Sequence, residues 1–286
     1  MGQDVSGQAR TPAETRAYTK ALLRDLQALE RMLEEGHFET GIRRIGAEQE
    51  MFLVNEAWRP ATTALEILER LEGPFTTEPA LYNLEANVEP RVLEGTCFSD
   101  LQARVEELVG QAREAAAEVD TEIALTGILP TLSKSDVTLD NITPRARYYA
   151  LNDAFAKARG GEAYKLRIQG SDELYTEHDS VMLESCNTSF QVHLQVEPDE
   201  FRDIYNIAQV VTAPVMAAAV NSPVLFGKHL WKETRIALFQ QSIDTRRGSV
   251  HMRDMSPRVR FGEDWVHKDV TDLFQDPPFA IERPGV

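Results

Sequence analysis

Three segments of the sequence predict β-strands that carry acids and amides along one face. They are residues 44–54 (RIGAEQEMFLV), 81–90 (LYNLEANVEP) and 187–196 (NTSFQVHLQV). Strand side chains point alternately to opposite faces, so each segment has one apolar face and one polar face. Parallel sheets are buried on both faces. Half-polar strands therefore indicate a largely antiparallel sheet in an α+β fold, with helices on the apolar face and the polar face open.

The apolar faces follow from the alternation. In residues 81–90 the apolar side chains are Tyr82, Leu84, Ala86 and Val88. In residues 187–196 they are Thr188, Phe190, Val192, Leu194 and Val196. We expect both sets to pack against helices.

Helical patterns lie between these strands. Thr11–Glu14 is a capping box with proline at the first helical position, and it predicts a helix that ends near Gly36. Ser99–Gln102 is a second capping box and predicts an amphipathic helix to about Val119. Its inward side chains would be Leu101, Val105, Leu108 and Ala112. We also expect a buried strand at 123–129 and helices at 60–75, at 145–158 and from 198 to about 221. These patterns divide the chain into an N-terminal helix (1–40) and an α+β domain (41–286).

The polar faces of the three strands have an unusual charge. No Lys or Arg occupies an interior polar position, although like charges that oppose each other destabilise a sheet. The polar side chains are Glu48, Glu50, Asn83, Glu85, Asn87, Glu89, Gln191 and His193. If the strands are neighbours, the acids repel one another unless cations neutralise them, and Mg²⁺ or Mn²⁺ suits such oxygen ligands. The alternative for any one strand is an ordinary solvated face, and a lone histidine is more often structural.

The composition excludes several classes of function. The 286-residue chain has a net charge of −16, which disfavours binding to nucleic acid. Its two isolated cysteines fit neither a disulfide scaffold nor a zinc ribbon. We find no signal sequence and no apolar run that could span a membrane, so we expect a cytoplasmic protein. There is no Walker loop, and phosphate chemistry would rely on metal ions and arginines.

Four segments in the same order resemble the glutamate–cysteine ligase family of carboxylate–amine ligases, whose fold is like that of glutamine synthetase. These are GAEQEMFLV, LYNLEANVEP, SFQVHLQV and NSPVLFGK, within residues 43–248. The resemblance implies that Glu48 and Glu50 bind magnesium. It implies that Glu85 and Glu89 are shared between metal and amino-acid substrate, and that Gln191 and His193 lie near metal or nucleotide. It also implies that Arg235 and Arg246 are catalytic and lie near phosphate or substrate carboxylate. We expect Asn87 and Gln191 to contact the substrate.

The implied reaction is ATP-dependent amide formation. The γ-carboxylate of glutamate would attack ATP, and an amine such as cysteine would displace phosphate from the acyl phosphate. This reaction needs no side-chain nucleophile, so Cys97 and Cys186 are expected to be structural. The sequence leaves open another amine acceptor, a phosphagen-kinase-like phosphotransferase, a non-catalytic metal- or nucleotide-binding relative, and a purely structural domain. The family's catalytic domain continues beyond the point where this chain stops, which indicates an N-terminal portion of a longer enzyme or a shortened relative.

Overall fold

The computed structural model describes residues 11–244, 246, 259 and 264–274. Its strands, in chain order, are β1 (Arg44–Val54), β2 (Phe75–Thr77), β3 (Asn83–Val92), β4 (Glu122–Ala124), β5 (Tyr164–Gln169), β6 (Glu173–His178), β7 (Phe190–Leu194), β8 (Val224–Leu225) and β9 (Lys228–His229). Its α-helices are α1 (Pro12–Glu34), α2 (Ala64–Leu68), α3 (Cys97–Ala117), α4 (Ala146–Ala158), α5 (Phe201–Ala218) and α6 (Thr234–Ser242).

The main sheet has five strands and is antiparallel at every pairing. Strand β1 lies at its centre with β3 on one edge, and β2 follows β3. The opposite edge of β1 is shared, because β7 pairs with its first half and β4 with its last three residues. The predicted α+β class with an antiparallel sheet is confirmed.

One face of this sheet packs against α2 and α3. The apolar side chains of β1 and β3, including Met51, Leu53 and Leu84, form one core with α3. The predicted inward residues of α3 are buried, except Val105, which is partly buried against the same core. Burial of these side chains is the main stabilising contribution of this layer, at about 1.5–3 kcal/mol for each large one.

A second core lies beyond the polar part of the other face. Phe52 and Tyr82 stack there with ring centroids 6.5 Å apart, and side chains of β5, β6 and α6 join them. The expectation that Tyr82 shares a face with Leu84 and Val88 is therefore wrong. The regular alternation of β3 begins only at Asn83, and the residue before a strand is not bound by the pleat.

Four element boundaries differ from the sequence expectation. The helix predicted at 60–75 covers only Ala64–Leu68, and the helix predicted from 198 to about 221 covers Phe201–Ala218 after the 3-10 turn Pro198–Glu200. Helix α3 begins at Cys97, so Ser99 is already helical and does not cap it. The turn before it, with Gly95 at φ 53°, brings the Cys97 N–H to the Glu94 carbonyl three residues earlier. The strand predicted at 123–129 is only three residues long, because Gly127 leaves the sheet and donates its N–H to Asn221.

Helices α1 and α4 agree with the sequence. The capping box of α1 is formed between Thr11 and Glu14, and Gly36 follows the helix end at φ 70°. The division of the chain at residue 40 stays a prediction. No helix in the described part of the chain is both long and apolar enough to cross a membrane.

The apolar face of β7 is about half exposed in the part of the chain that the structure describes. Phe190, Val192 and Leu194 are 48%, 56% and 43% exposed, although they share a sheet face with the buried Ala47. For the residues that the structure describes, the expectation that helices cover the whole apolar face is thus wrong at this edge. Among the described residues, α5 contributes no buried side chain and exposes several valines.

Candidate functional site

The register of the sheet brings the three predicted polar faces together. On one side of β1, Glu48 lies opposite Asn87 and Glu50 lies opposite Glu85. On the other side, Glu48 lies opposite Gln191. The side chains on the polar faces of β1, β3 and β7 are therefore direct neighbours, as the sequence predicted.

A cavity of about 1020 Å³ opens over this face. Its lining includes five acids, Glu48, Glu78, Glu85, Glu89 and Glu184, together with Asn87, His193, Arg147 and Tyr148. The sheet supplies only part of this wall, since Glu78 follows β2 and the Arg147–Tyr148 pair begins α4. Glu184 belongs to the 3-10 helix Val181–Cys186.

Three carboxylates lie close enough together to hold one ion. One oxygen from each of Glu50, Glu78 and Glu85 lies within 4.8 Å of the others; we call these residues the carboxylate triad. Sequence reasoning identified Glu50 and Glu85 but missed Glu78. Strand β2 has only three residues, which is too short for a recognisable alternation, and its pairing with β3 is a tertiary contact.

The triad carries strong charge repulsion. Burial, a hydrogen bond with Glu85 and the charge of Glu50 raise the pKa of Glu78 well above its usual range. Burial also raises the pKa of Glu50, and the Ser189 N–H opposes this rise. A divalent cation bound between the three groups would replace the protons that Glu50 and Glu78 otherwise keep to higher pH.

A fourth carboxyl group lies beside the triad. Burial and the nearby charge of Glu50 raise the pKa of Glu184 to about 7. Two residues further on, Cys186 is buried, and its burial raises the pKa of the thiol. A thiol in this environment is a poor nucleophile, which agrees with the expected structural role.

Backbone and amide groups orient the triad. The Ser189 N–H donates to Glu50 Oε2 at 2.7 Å, and Gln191 Nε2 donates to Glu50 Oε1 at 3.3 Å. Asn87 Nδ2 donates to Glu85 Oε1 at 2.6 Å. The predicted amides Asn87 and Gln191 therefore contact the carboxylates directly.

The remaining strand residues lie further from the triad. His193 Nε2 is 3.6 Å from Glu48 Oε1, and both residues line the cavity. Glu89 also lines the cavity, but its side chain is 60% exposed and pairs with Arg104 at 3.4 Å. The metal-binding roles predicted for these three residues stay predictions.

Arg147 is the single arginine or lysine among the residues that line the described cavity. Its guanidinium donates to the Thr77 carbonyl at 3.1 Å and to the Tyr148 hydroxyl at 2.5 Å. These contacts fix it beside β2, next to Glu78. The sequence analysis missed this residue, because a helical arginine usually forms a surface ion pair and its position at the cavity depends on how α4 docks.

The two arginines predicted to be catalytic lie outside the lining of this cavity, as far as the structure describes it. Arg235 is partly buried; it forms an ion pair with the buried Glu233 and donates to the Thr188 carbonyl at 2.9 Å. Arg246 pairs with Asp244 at 2.6 Å. Their contact with phosphate or substrate stays a prediction.

Comparison with known proteins agrees with this geometry. The sequence model of glutamate-cysteine ligase family 2 matches residues 44–264, a range that contains all strands of the main sheet and the carboxylate triad. None of the curated proteins compared with the chain matches it. The family match covers more than half of the sequence and includes every residue that the acidic cavity brings together. The chain therefore belongs to glutamate-cysteine ligase family 2.

Proposed function

We propose that the protein is an ATP- and Mg²⁺-dependent ligase that joins the γ-carboxylate of glutamate to an amine, in the simplest case the amine of cysteine. The observation that carries this proposal is the carboxylate triad, two of whose members, Glu78 and Glu85, line a cavity large enough for a nucleotide and an amino acid. The family supplies the class of reaction.

The donor groups of the triad suit a hard divalent cation. Mg²⁺ and Mn²⁺ prefer carboxylate oxygens and keep several water ligands. The three carboxylates can therefore supply the protein ligands, while water or substrate fills the other coordination positions. Glu50, Glu78 and Glu85 would hold the ion, with Gln191 and Asn87 orienting two of them. When bound, the ion would supply charge neutralisation for the triphosphate and for the transferring phosphoryl group.

The cavity also offers one fixed cation for an anionic substrate. Arg147 is held beside β2 by its bonds to Thr77 and Tyr148, and a guanidinium binds a carboxylate or phosphate in a defined orientation. In an otherwise acidic wall it is the natural partner for a carboxylate of glutamate or a phosphate of ATP. We expect it to orient substrate rather than to transfer protons, because a guanidinium stays protonated.

The reaction needs no nucleophile from the protein. A γ-carboxylate oxygen of glutamate forms a bond to the terminal phosphorus of ATP, and ADP leaves. The amine nitrogen then forms a bond to the acyl carbon, and inorganic phosphate and a proton are released. The protein contributes alignment of the two substrates and exclusion of water, which are the main sources of acceleration in phosphoryl transfer.

Product formation tests this proposal directly. Purified protein is incubated with Mg-ATP and L-glutamate, with L-cysteine, with other amino acids and amines, or with no amine, and ADP and the amide product are measured by mass spectrometry. We expect amine-dependent ADP release and a γ-glutamyl product, whose identity names the acceptor.

The matched variants are Glu85→Gln in the triad and Glu106→Gln on the exposed surface of α3. Glu85→Gln should lower the rate by about 100-fold or more, whereas Glu106→Gln should leave it unchanged. Binding of Mn²⁺ and ATP without product would favour the non-catalytic relative. The absence of both binding and product would contradict the proposal.

A further inference from the structure

Glu233 is a buried carboxylate with three polar contacts. It is 6% exposed, and Ser222 Oγ donates to its Oε1 at 2.9 Å. The Asn221 N–H donates to Oε2 at 3.1 Å, and Arg235 Nε completes the set with an ion pair. A buried charge is tolerated only with such compensation, so this pair is built into the fold.

Arg235 extends from this ion pair toward the metal-binding strands. Its second nitrogen, Nη1, donates to the Thr188 carbonyl at 2.9 Å. The next residue, Ser189, donates its N–H to Glu50 Oε2 at 2.7 Å and accepts the Glu50 N–H at 3.0 Å. One guanidinium therefore restrains the peptide group whose N–H donates directly to a triad carboxylate.

Two further hydrogen bonds hold Thr188 itself. The Thr188 N–H donates to the Gly127 carbonyl at 3.0 Å, and the Thr188 hydroxyl donates to the Thr126 carbonyl. A methyl group on Gly127 would lie 2.7 Å from Arg235 Nε, closer than real Cβ contacts allow. Gly127 thus permits the guanidinium to lie against the backbone, and the loop and the arginine form one packed unit.

We propose that the Glu233–Arg235 pair is a positioning device that sets the orientation of Glu50 in the carboxylate triad through the Thr188 carbonyl and the Ser189 N–H. This inference rests on the proposed metal-dependent function. It assigns Arg235 a role that needs no contact with substrate, and it assigns Glu233 a role that the sequence did not suggest.

The carboxylate of Glu50 needs a contact that fixes its orientation, because the acids of the metal-free triad repel one another. Glu50 lies against Glu85 and Glu78, and repulsion favours turning its carboxylate away. A contact that fixes a ligand from the next layer commonly changes metal affinity by about 10- to 100-fold. A guanidinium can hold Glu233 and Thr188 together because its donors form a rigid fork, whereas a lysine offers a single nitrogen.

The test compares Arg235→Lys with Arg159→Lys. Arg159 is also a buried arginine, 6% exposed, whose guanidinium donates to the carbonyls of Glu162 and Ala163. Its guanidinium also donates to the Asp244 carbonyl, and none of these carbonyls belongs to the triad or to Thr188, so Arg159 controls for the general effect of replacing a buried arginine. Lysine keeps the positive charge beside Glu233, so Arg235→Lys does not leave a buried carboxylate unpaired.

Two quantities are measured on the full chain without nucleotide. The first is the Kd for Mn²⁺ by titration calorimetry. The second is the amide chemical shift of Ser189 by NMR in metal-free protein, which reports its hydrogen bond to Glu50. We expect Arg235→Lys to weaken Mn²⁺ binding by about tenfold and to shift the Ser189 amide. Arg159→Lys should change neither quantity.

An unchanged Mn²⁺ Kd and an unchanged Ser189 shift in folded Arg235→Lys would overturn the inference. If that variant does not fold, Ser222→Ala removes one contact to Glu233 and is judged by the same two outcomes. Failure of the proposed function is distinguished by the parent protein: if it binds no Mn²⁺, or if Glu85→Gln binds as tightly as the parent, the metal site itself is wrong.

Discussion

At the scale of single residues, the sequence and the structure point to different acids for the proposed metal site: the sequence to Glu89, the structure to Glu78. The family resemblance of the sequence points to Glu89 on β3, whereas the three-dimensional grouping contains Glu78 and leaves Glu89 paired with Arg104. Glu89 is exposed, and its hydrogen bonds lower the pKa of the carboxyl group. Glu78 is crowded by like charges, which is the arrangement that a cation relieves.

We therefore expect Glu78→Gln to weaken Mn²⁺ binding by about 100-fold and Glu89→Gln by less than about fivefold. Removing one of three repelling carboxyl groups should also raise the melting temperature of the metal-free Glu78→Gln protein. Titration calorimetry and thermal unfolding in a chelator measure both effects. The reverse order of affinities would support the assignment that the resemblance implies.

At the scale of elements, the main sheet is covered unevenly. Val88 on β3 and Val192 on β7 both lie opposite Ala47 of β1, on the same sheet face. Helix α3 packs against β3, and Val88 is 5% exposed, but Val192 is 56% exposed. Two valines with the same register thus have different environments.

The matched substitutions Val88→Thr and Val192→Thr test this difference. Placing a hydroxyl in the buried position should lower the free energy of unfolding by about 1–2 kcal/mol, because the group loses its hydration without a designed partner. The same change at Val192 should cost less than about 0.5 kcal/mol. Urea unfolding of both variants gives the comparison. A large loss at Val192 would mean that the β7 face is covered in solution, for example by a second copy of the chain.

At the scale of the whole molecule, the acidic cavity links stability to pH and to metal. Glu50, Glu78 and Glu184 all keep their protons to a higher pH in the folded state than in the unfolded state. Between the usual value of 4.5 and about 7 for Glu184, the folded protein binds more protons than the unfolded chain. The free energy of unfolding from these groups therefore falls as the pH rises through this window.

We expect metal-free protein to lose stability between about pH 4.5 and about pH 7, with up to about 3 kcal/mol from Glu184. Mg²⁺ should oppose this loss and stabilise more strongly at the higher pH, because its ligands must be deprotonated. Thermal unfolding across this range, in chelator and in Mg²⁺, measures both trends. Glu184→Gln should flatten the metal-free profile; a profile that is flat in the parent would contradict the expected burial of these carboxyl groups.

Local patterns were enough to predict much of this protein. The capping box of α1, the bounds of β1 and the polar faces of β1, β3 and β7 all follow from interactions within a few residues, such as the alternation of strand side chains. Because β1 is central, the charge imbalance of those faces also correctly predicted that their side chains would be neighbours.

Other features depended on contacts between distant segments. Glu78 joins the triad because a three-residue strand pairs with β3, and Arg147 reaches the cavity because α4 docks beside that strand. Arg235 contacts Thr188, 47 residues earlier in the chain, through a gap that only glycine leaves open. The sequence by itself determined which strands form and which of their faces are polar, since these depend on local periodicity. Only the tertiary structure decided which carboxylates lie close enough to share an ion and which arginine faces the cavity, because those depend on how separate elements pack.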